Sequence, residues 1–222
     1  MLDLAVFNWS GGKDSTLALH FILIENKFKI HCLFTTVNEY YNRVSMHGVR
    51  VSLLEQQAES LQLPLHQLRL PEMPDMQTYE NAMTVDFLQL KSQNVHYAIY
   101  GDIFLEDLRL YREAQMAKLG MKAIFPLWGH SSKAIVEEFI ALGYKTIVVC
   151  AKDGLQDFCG RVIDQSFLND LPATVDPCGE NGEFHTFVYD GPIFKKRIEF
   201  KVGELVLRDG YWYIDLVPLF SI

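Results

Sequence analysis

The run Ser10-Gly11-Gly12-Lys13-Asp14-Ser15 constrains this chain more than any other stretch. It follows Leu4-Ala5-Val6-Phe7, an apolar run that reads as a buried strand. It precedes a segment over 14–26 in which Leu17, Leu19, His20, Leu23 and Ile24 fall at helical spacing. A strand that turns through two glycines into a helix gathers unpaired backbone N–H groups and the positive end of a helix dipole at one point. Ser10 and Ser15 add hydroxyl donors there, and Lys13 adds a point charge. The junction is therefore an expected anion site. It is not a G-x-x-x-x-G-K-[ST] loop. Phe7 stands where that motif needs Gly, and Asp14 follows Lys13 where it needs Ser or Thr.

Strand and helix patterns then alternate. Strands are expected over 29–37, 65–70 and 95–100, and helices over 49–61, 79–90 and 108–119, with Gly120 as a stop. Short connections between such elements imply an α/β fold, a doubly wound and mostly parallel sheet covered on both faces. Beyond Pro126-Leu127-Trp128 the pattern changes. A helix over 132–142 and strands over 145–150, 183–189, 198–207 and 211–217 are expected, the last two joined by a hairpin turn at Asp209-Gly210. The reading is a nucleotide-binding domain over 1–120 and a smaller C-terminal α+β lobe over 121–222.

Composition narrows the partners. The net charge of −8 disfavours a large nucleic-acid footprint. The cysteines, Cys32, Cys150, Cys159 and Cys178, form no C-x-x-C pair and suit a reducing compartment. No signal peptide or membrane-length apolar run is visible, so a cytoplasmic protein, free or as a homo-oligomer, is expected.

The loop matches S-G-G-x-D-S and so resembles the PP-loop ATP pyrophosphatases, a Rossmann-like group of the adenine nucleotide alpha hydrolase type. That resemblance implies ATP as ligand, cleaved between its α and β phosphates, with Ser10, Gly11, Gly12, Lys13, Asp14 and Ser15 around the pyrophosphate portion. Asp14 beside a polyphosphate makes sense with Mg²⁺ between them. In such a sheet, ligands sit at the carboxyl ends of strands, so the loop after the second strand should lie near the nucleotide, with Met46 and His47 touching adenine or ribose.

Later segments resemble the diphthine–ammonia ligase family. They are Tyr100-Gly101-Asp102-Ile103, Tyr111-Arg112-Glu113, Pro126-Leu127-Trp128, Asp153-Gly154-Leu155 with Gly160-Arg161, and the stretch from Asp176 through Cys178-Gly179-Glu180-Asn181-Gly182-Glu183 to His185-Thr186. Asn181 and His185 depart from the Gly and Glu frequent in that family. The resemblance implies an amide ligase that uses ATP, ammonium and a carboxylate, with Gly101 and Asp102 in the nucleotide site. In an archaeal or eukaryotic source the carboxylate would be diphthine on translation elongation factor 2. Glu180 and Glu183, in a loop flexed by Gly179 and Gly182, read as paired carboxylates that capture ammonium or act as base, with Lys13 and Asp14 as the other catalytic groups. A solvated acidic turn is the plainer alternative. Sulfur transfer through Cys159 or Cys178 and a different small-molecule substrate remain as competing readings.

Overall fold

A computed structural model describes residues 2–219. The first strand, β1 (Asp3–Asn8), runs into α1 (Lys13–Glu25). There follow β2 (Phe28–Asn38), β3 (Arg43–Val44), α2 (Val51–Leu61), β4 (Leu65–Leu70), α3 (Met76–Ser92), β5 (Val95–Ile99), α4 (Glu106–Lys118) and β6 (Lys122–Ile124). The remainder is α5 (Ser132–Ala141), β7 (Lys145–Lys152), a 3₁₀ turn, α6 (Gln165–Asp170), β8 (Phe184–Asp190), β9 (Phe200–Arg208) and β10 (Tyr211–Pro218). Among the described residues no helix is long and apolar enough to cross a membrane.

The larger sheet is parallel along β4-β2-β1-β5-β6. Its chain order therefore reverses between β1 and β5, the place where open α/β sheets leave a crevice at their carboxyl ends. Burial on both faces follows from residue alternation in β1. Ala5 and Phe7 join the core under α1 and α2, whereas Val6 joins the core formed with Phe87 of α3 and Met116 of α4. The expected doubly wound sheet is thus present. Its last strand, β6, lies beyond residue 120, so the parallel sheet extends into what the sequence assigned to the second lobe.

The short strand β3 pairs antiparallel with the last residues of β2, Val37 and Asn38. Those residues already pair with β4, so β3 occupies the other edge, past the end of β1. It therefore hangs the 45–48 turn over the mouth of the β1–α1 loop.

The smaller sheet is antiparallel, in the order β8-β7-β10-β9. The expected hairpin is formed. Asp209 and Gly210 both have positive φ, 51° and 80°, as a two-residue turn of the I′ type requires. The two sheets share one apolar cluster, running from Leu17 and Leu54 to Val148 and Phe187. Asp215 of β10 adds a polar clamp, binding Arg43 at 2.8 Å and Arg50 at 2.7 Å.

Candidate active site

The strand-to-helix loop after β1 is fixed from behind by groups distant in sequence. Gly12 is the N-cap of α1 and brings no capping side chain. Thr186 of β8 takes that role, its Oγ1 accepting from the Lys13 N–H at 3.0 Å. The Val188 N–H donates to the Gly11 carbonyl at 2.9 Å. Gln57 of α2, fully buried, donates to the carbonyls of both Gly11 (3.0 Å) and Val188 (2.6 Å), and accepts from the Trp9 indole (2.9 Å). Inside the loop, the Ser10 and Ser15 hydroxyls lie 3.1 Å apart.

A cavity of about 390 Å³ opens beyond this loop. Its lining includes Ser10, Gly12, Lys13, Asp14 and Ser15, and, from the other walls, Met46, His47, Gly101, Asp102, Glu180 and His185. The structure thus brings the loop, the 45–48 turn, the end of β5 and the acidic loop to one place. Met46 is 71% exposed at the rim.

Lys13 is 2% exposed. Its ammonium reaches both Asp14 carboxylate oxygens, at 2.8 and 2.7 Å, and donates to the Cys178 carbonyl. Burial alone would pull the lysine down, but the Asp14 carboxylate, with Glu180 beyond it, holds it above the ordinary range. Asp102 sits at the end of β5 with its Oδ2 3.0 Å from Arg112 Nε. The approach is not in line, and neither atom has a hydrogen-bond partner. Arg112 instead lies over the Tyr100 ring, 4.3 Å from its centroid. Burial raises Asp102 and so does the Asp14 charge, with Arg112 opposing.

Glu180 accepts from the Ile103 N–H at 2.9 Å. Burial, then the Asp14 charge, push its carboxyl up to about 7, against the Ile103 hydrogen bond and Lys13. Glu183 is differently placed. Its Oε1 accepts from the Asp176 N–H and from Asn181 Nδ2, both at 3.1 Å. Burial works upward on it, but these hydrogen bonds prevail and keep it below the usual range. It is not on the cavity wall, and the charges acting on Glu180 are Asp14, Lys13 and Asp102. The two glutamates that the sequence suggested as a pair therefore have separate surroundings. Glu180 faces the loop, while Glu183 ties its own turn together.

Gly101 is required for a reason that sequence spacing does not reveal. A Cβ there would lie 3.0 Å from the Asp14 carbonyl carbon and the Ser15 nitrogen, both main-chain atoms of the first turn of α1. Gly101→Ala is expected to shift that turn, costing about 1–3 kcal/mol and lowering Tm by several degrees. Calorimetry with an ATP titration checks it, and an unchanged Tm with unchanged affinity would contradict the packing argument.

Among the described residues no cluster of three or more His, Cys, Asp or Glu is placed to hold a metal ion. Mg²⁺ usually takes one or two carboxylates and shares the rest of its shell with phosphate and water. Asp14 and the orphaned Asp102 oxygen, whose charges oppose one another, fit that description.

Thr186, Gln57, Arg112 and Tyr100 complete the site; Thr186, Arg112 and Tyr100 stand in the family-like segments of the sequence but were given no role there. Gln57 was not singled out, though an amide among the apolar positions of α2 is a visible signal.

Comparison with known proteins gives two family-model matches, to the diphthamide synthase N-terminal domain over residues 4–123 and to the diphthamide synthase C-terminal domain over residues 131–217. Diphthine–ammonia ligase of Homo sapiens is 26% identical over 187 residues, covering 77% of this chain and 68% of that protein. The Danio rerio protein of the same name is 31% identical over 115 residues, 49% of this chain and 45% of its own length. The Schizosaccharomyces pombe one is 27% identical over 95 residues, 40% of this chain and 16% of its length.

Proposed function

The chain belongs to the diphthamide synthase family, and from that premise we propose that it is an ATP-dependent ligase which adenylates a substrate carboxylate and condenses it with ammonia. The observation that carries the reading is the convergence of Lys13, the α1 N-terminus and a buried carboxyl at about 7, Glu180, on one cavity at the carboxyl ends of β1 and β5. Relatives named diphthine–ammonia ligase support diphthine, or a side chain of like chemistry, as the carboxylate.

In the first half-reaction the carboxylate oxygen attacks the α-phosphorus and the bond to the β-phosphate oxygen breaks. Ser10, Gly11, Gly12, Lys13 and Ser15 hold the departing pyrophosphate, whose charge the helix dipole and the buried ammonium offset. Mg²⁺, when bound, would be held by Asp14 and Asp102 and would supply further neutralisation of phosphate charge. In the second half-reaction ammonia attacks the acyl carbon and AMP leaves. Ammonium must first lose a proton, and Glu180 is the base for it. Its carboxylate is available at neutral pH and its value near 7 is matched to proton transfer.

Thiol chemistry finds little support. Burial pushes Cys159 up to about 11 and raises Cys178 further, so both are protonated and unreactive.

The products are expected to be AMP and pyrophosphate. Chromatography of a reaction with ATP, ammonium and a diphthine-bearing protein tests this. ADP as the main product would overturn the assignment.

A further inference from the structure

Two imidazoles face one another over the phosphate loop, and the mechanism above uses neither. His47 belongs to the turn after β3, and His185 to β8. Their ring centroids are 4.6 Å apart, with the planes at 37°. Both line the cavity. His47 Nε2 lies 3.4 Å from the point that a Cβ on Gly12 would occupy. Gly12 is the N-cap of α1, so the pair stands at the helix end where phosphate would sit. This location favours a phosphate contact for His47 over the adenine or ribose contact expected from sequence.

Hydrogen bonding fixes what His47 can offer there. Its Nδ1 faces the Ser45 carbonyl at 3.4 Å, and a carbonyl only accepts. In the tautomer that donates to this carbonyl, the neutral ring carries its proton on Nδ1 and presents a lone pair from Nε2. A lone pair repels a phosphate oxygen, whereas an N–H at the same atom would bind it. Contact with phosphate requires a second proton on the ring.

The charges around the pair set when that proton arrives. The Lys13 ammonium, on α1, acts on both rings, and each ring faces the other. Burial, then His185 and Lys13, bring His47 down to about 3. Burial, then Lys13, bring His185 down to about 4. Without a ligand both rings are neutral at physiological pH. A bound polyphosphate cancels the lysine field and adds negative charge beside the rings, which moves both values upward.

We propose that His47 and His185 together form a phosphate contact that takes up a proton from solution as the triphosphate binds. The inference rests on the ATP-binding reading above. The proton goes to the Nε2 lone pair of His47, or to the free ring nitrogen of His185, and leaves again with the pyrophosphate.

Isothermal titration of ATP and of pyrophosphate at pH 7.5, in buffers of different ionisation enthalpy, tests it. The slope of apparent enthalpy against buffer enthalpy counts the protons exchanged, and uptake of about one is expected. Glu180, with its value near 7, is the other protein group in the cavity able to gain a proton, so Glu180→Gln is measured alongside, and the ligand's own terminal-phosphate ionisation, common to all variants, is subtracted. The slope should lose only the share of that one carboxyl in Glu180→Gln and fall by more than half in His47→Gln and in His185→Gln. Pyrophosphate affinity should drop roughly tenfold in the histidine variants while adenosine affinity holds, the loss expected for one charge-assisted hydrogen bond. ATP binding with zero slope in the wild type, or a slope lost only in Glu180→Gln, would overturn the inference and leave the ATP reading intact. Absence of ATP binding in the wild type would overturn both.

Discussion

Lys13→Ala is expected to lower ATP turnover about 100- to 1,000-fold, the loss typical when a fixed donor to developing charge is removed. Lys13 is the buried cation in contact with Asp14, and its field reaches Glu180. Without it, Asp14, Asp102 and Glu180 are left facing a polyanion. Pyrophosphate binding should weaken along with turnover, because the leaving group meets the same ammonium in the ground state and as it departs. Lys13→Arg should not rescue. A side chain that is 2% exposed and donates to both Asp14 and the Cys178 carbonyl leaves no space for a planar guanidinium. Removing Lys13 also leaves the partly exposed Asp14 carboxylate without its partner, so some loss of stability is expected. Turnover is therefore measured below the melting range, with Tm recorded for each variant. Turnover within a few-fold of wild type in folded Lys13→Ala would remove the loop from the mechanism.

Glu180→Gln is expected to separate activity from stability. If Glu180 accepts the ammonium proton, amide formation rises with pH through about 7 and levels off above it. The glutamine variant should lose that limb and about 100-fold or more of the amide-forming rate, while substrate-dependent ATP–pyrophosphate exchange stays largely intact. Stability should move the other way. The folded-state value lies above the ordinary carboxyl value of 4.5, so the native state binds the proton more tightly than the unfolded chain. Stability from this group is fully present below about 4.5 and is lost as pH rises through about 7. At pH 8 the ligand-free wild type carries the whole cost, up to about 3 kcal/mol for a shift of that size. The variant, which has no charge to bury, should melt higher at pH 8 and lose the advantage near pH 5. A melting temperature that falls equally at both pH values would refute the buried-carboxylate account. Glu183→Gln should affect catalysis less, since an amide oxygen still accepts from the Asp176 N–H.

The sequence was most informative where the structure is local. The β1–α1 loop is contiguous, and its glycines, hydroxyls and lysine carry their chemistry in order. The parallel sheet followed from alternation, and the Asp209-Gly210 hairpin from its turn residues. Boundaries moved by a few residues. The third helix, expected over 79–90, begins earlier at Met76 because Asp75 caps it, accepting from the Thr78 N–H at 2.7 Å. Other features had no local trace. A strand as short as β3 shows no periodicity, yet it decides where Met46 and His47 go. Arg112 belongs to a family-like segment, but only the fold shows that it turns onto Tyr100 and Asp102. Glu180 and Glu183 look equivalent in a string of letters. Hydrogen bonds to Ile103 in one case and Asp176 in the other make them different.

The Thr186 cap on Lys13 and the Val188 bond to Gly11 also set an order of events on the ribosome. Lys13 and Thr186 are separated by 173 positions. At translation rates of about 5–20 residues per second, roughly 10–35 s pass between making the loop and making its cap. Through that interval the nascent β1–α1 loop has its glycines and its lysine but not the groups that hold its backbone from behind. On the ATP-binding reading proposed above, nucleotide meets a finished loop only after β8 has emerged and docked, and early stabilisation of a nascent chain by that ligand is not expected.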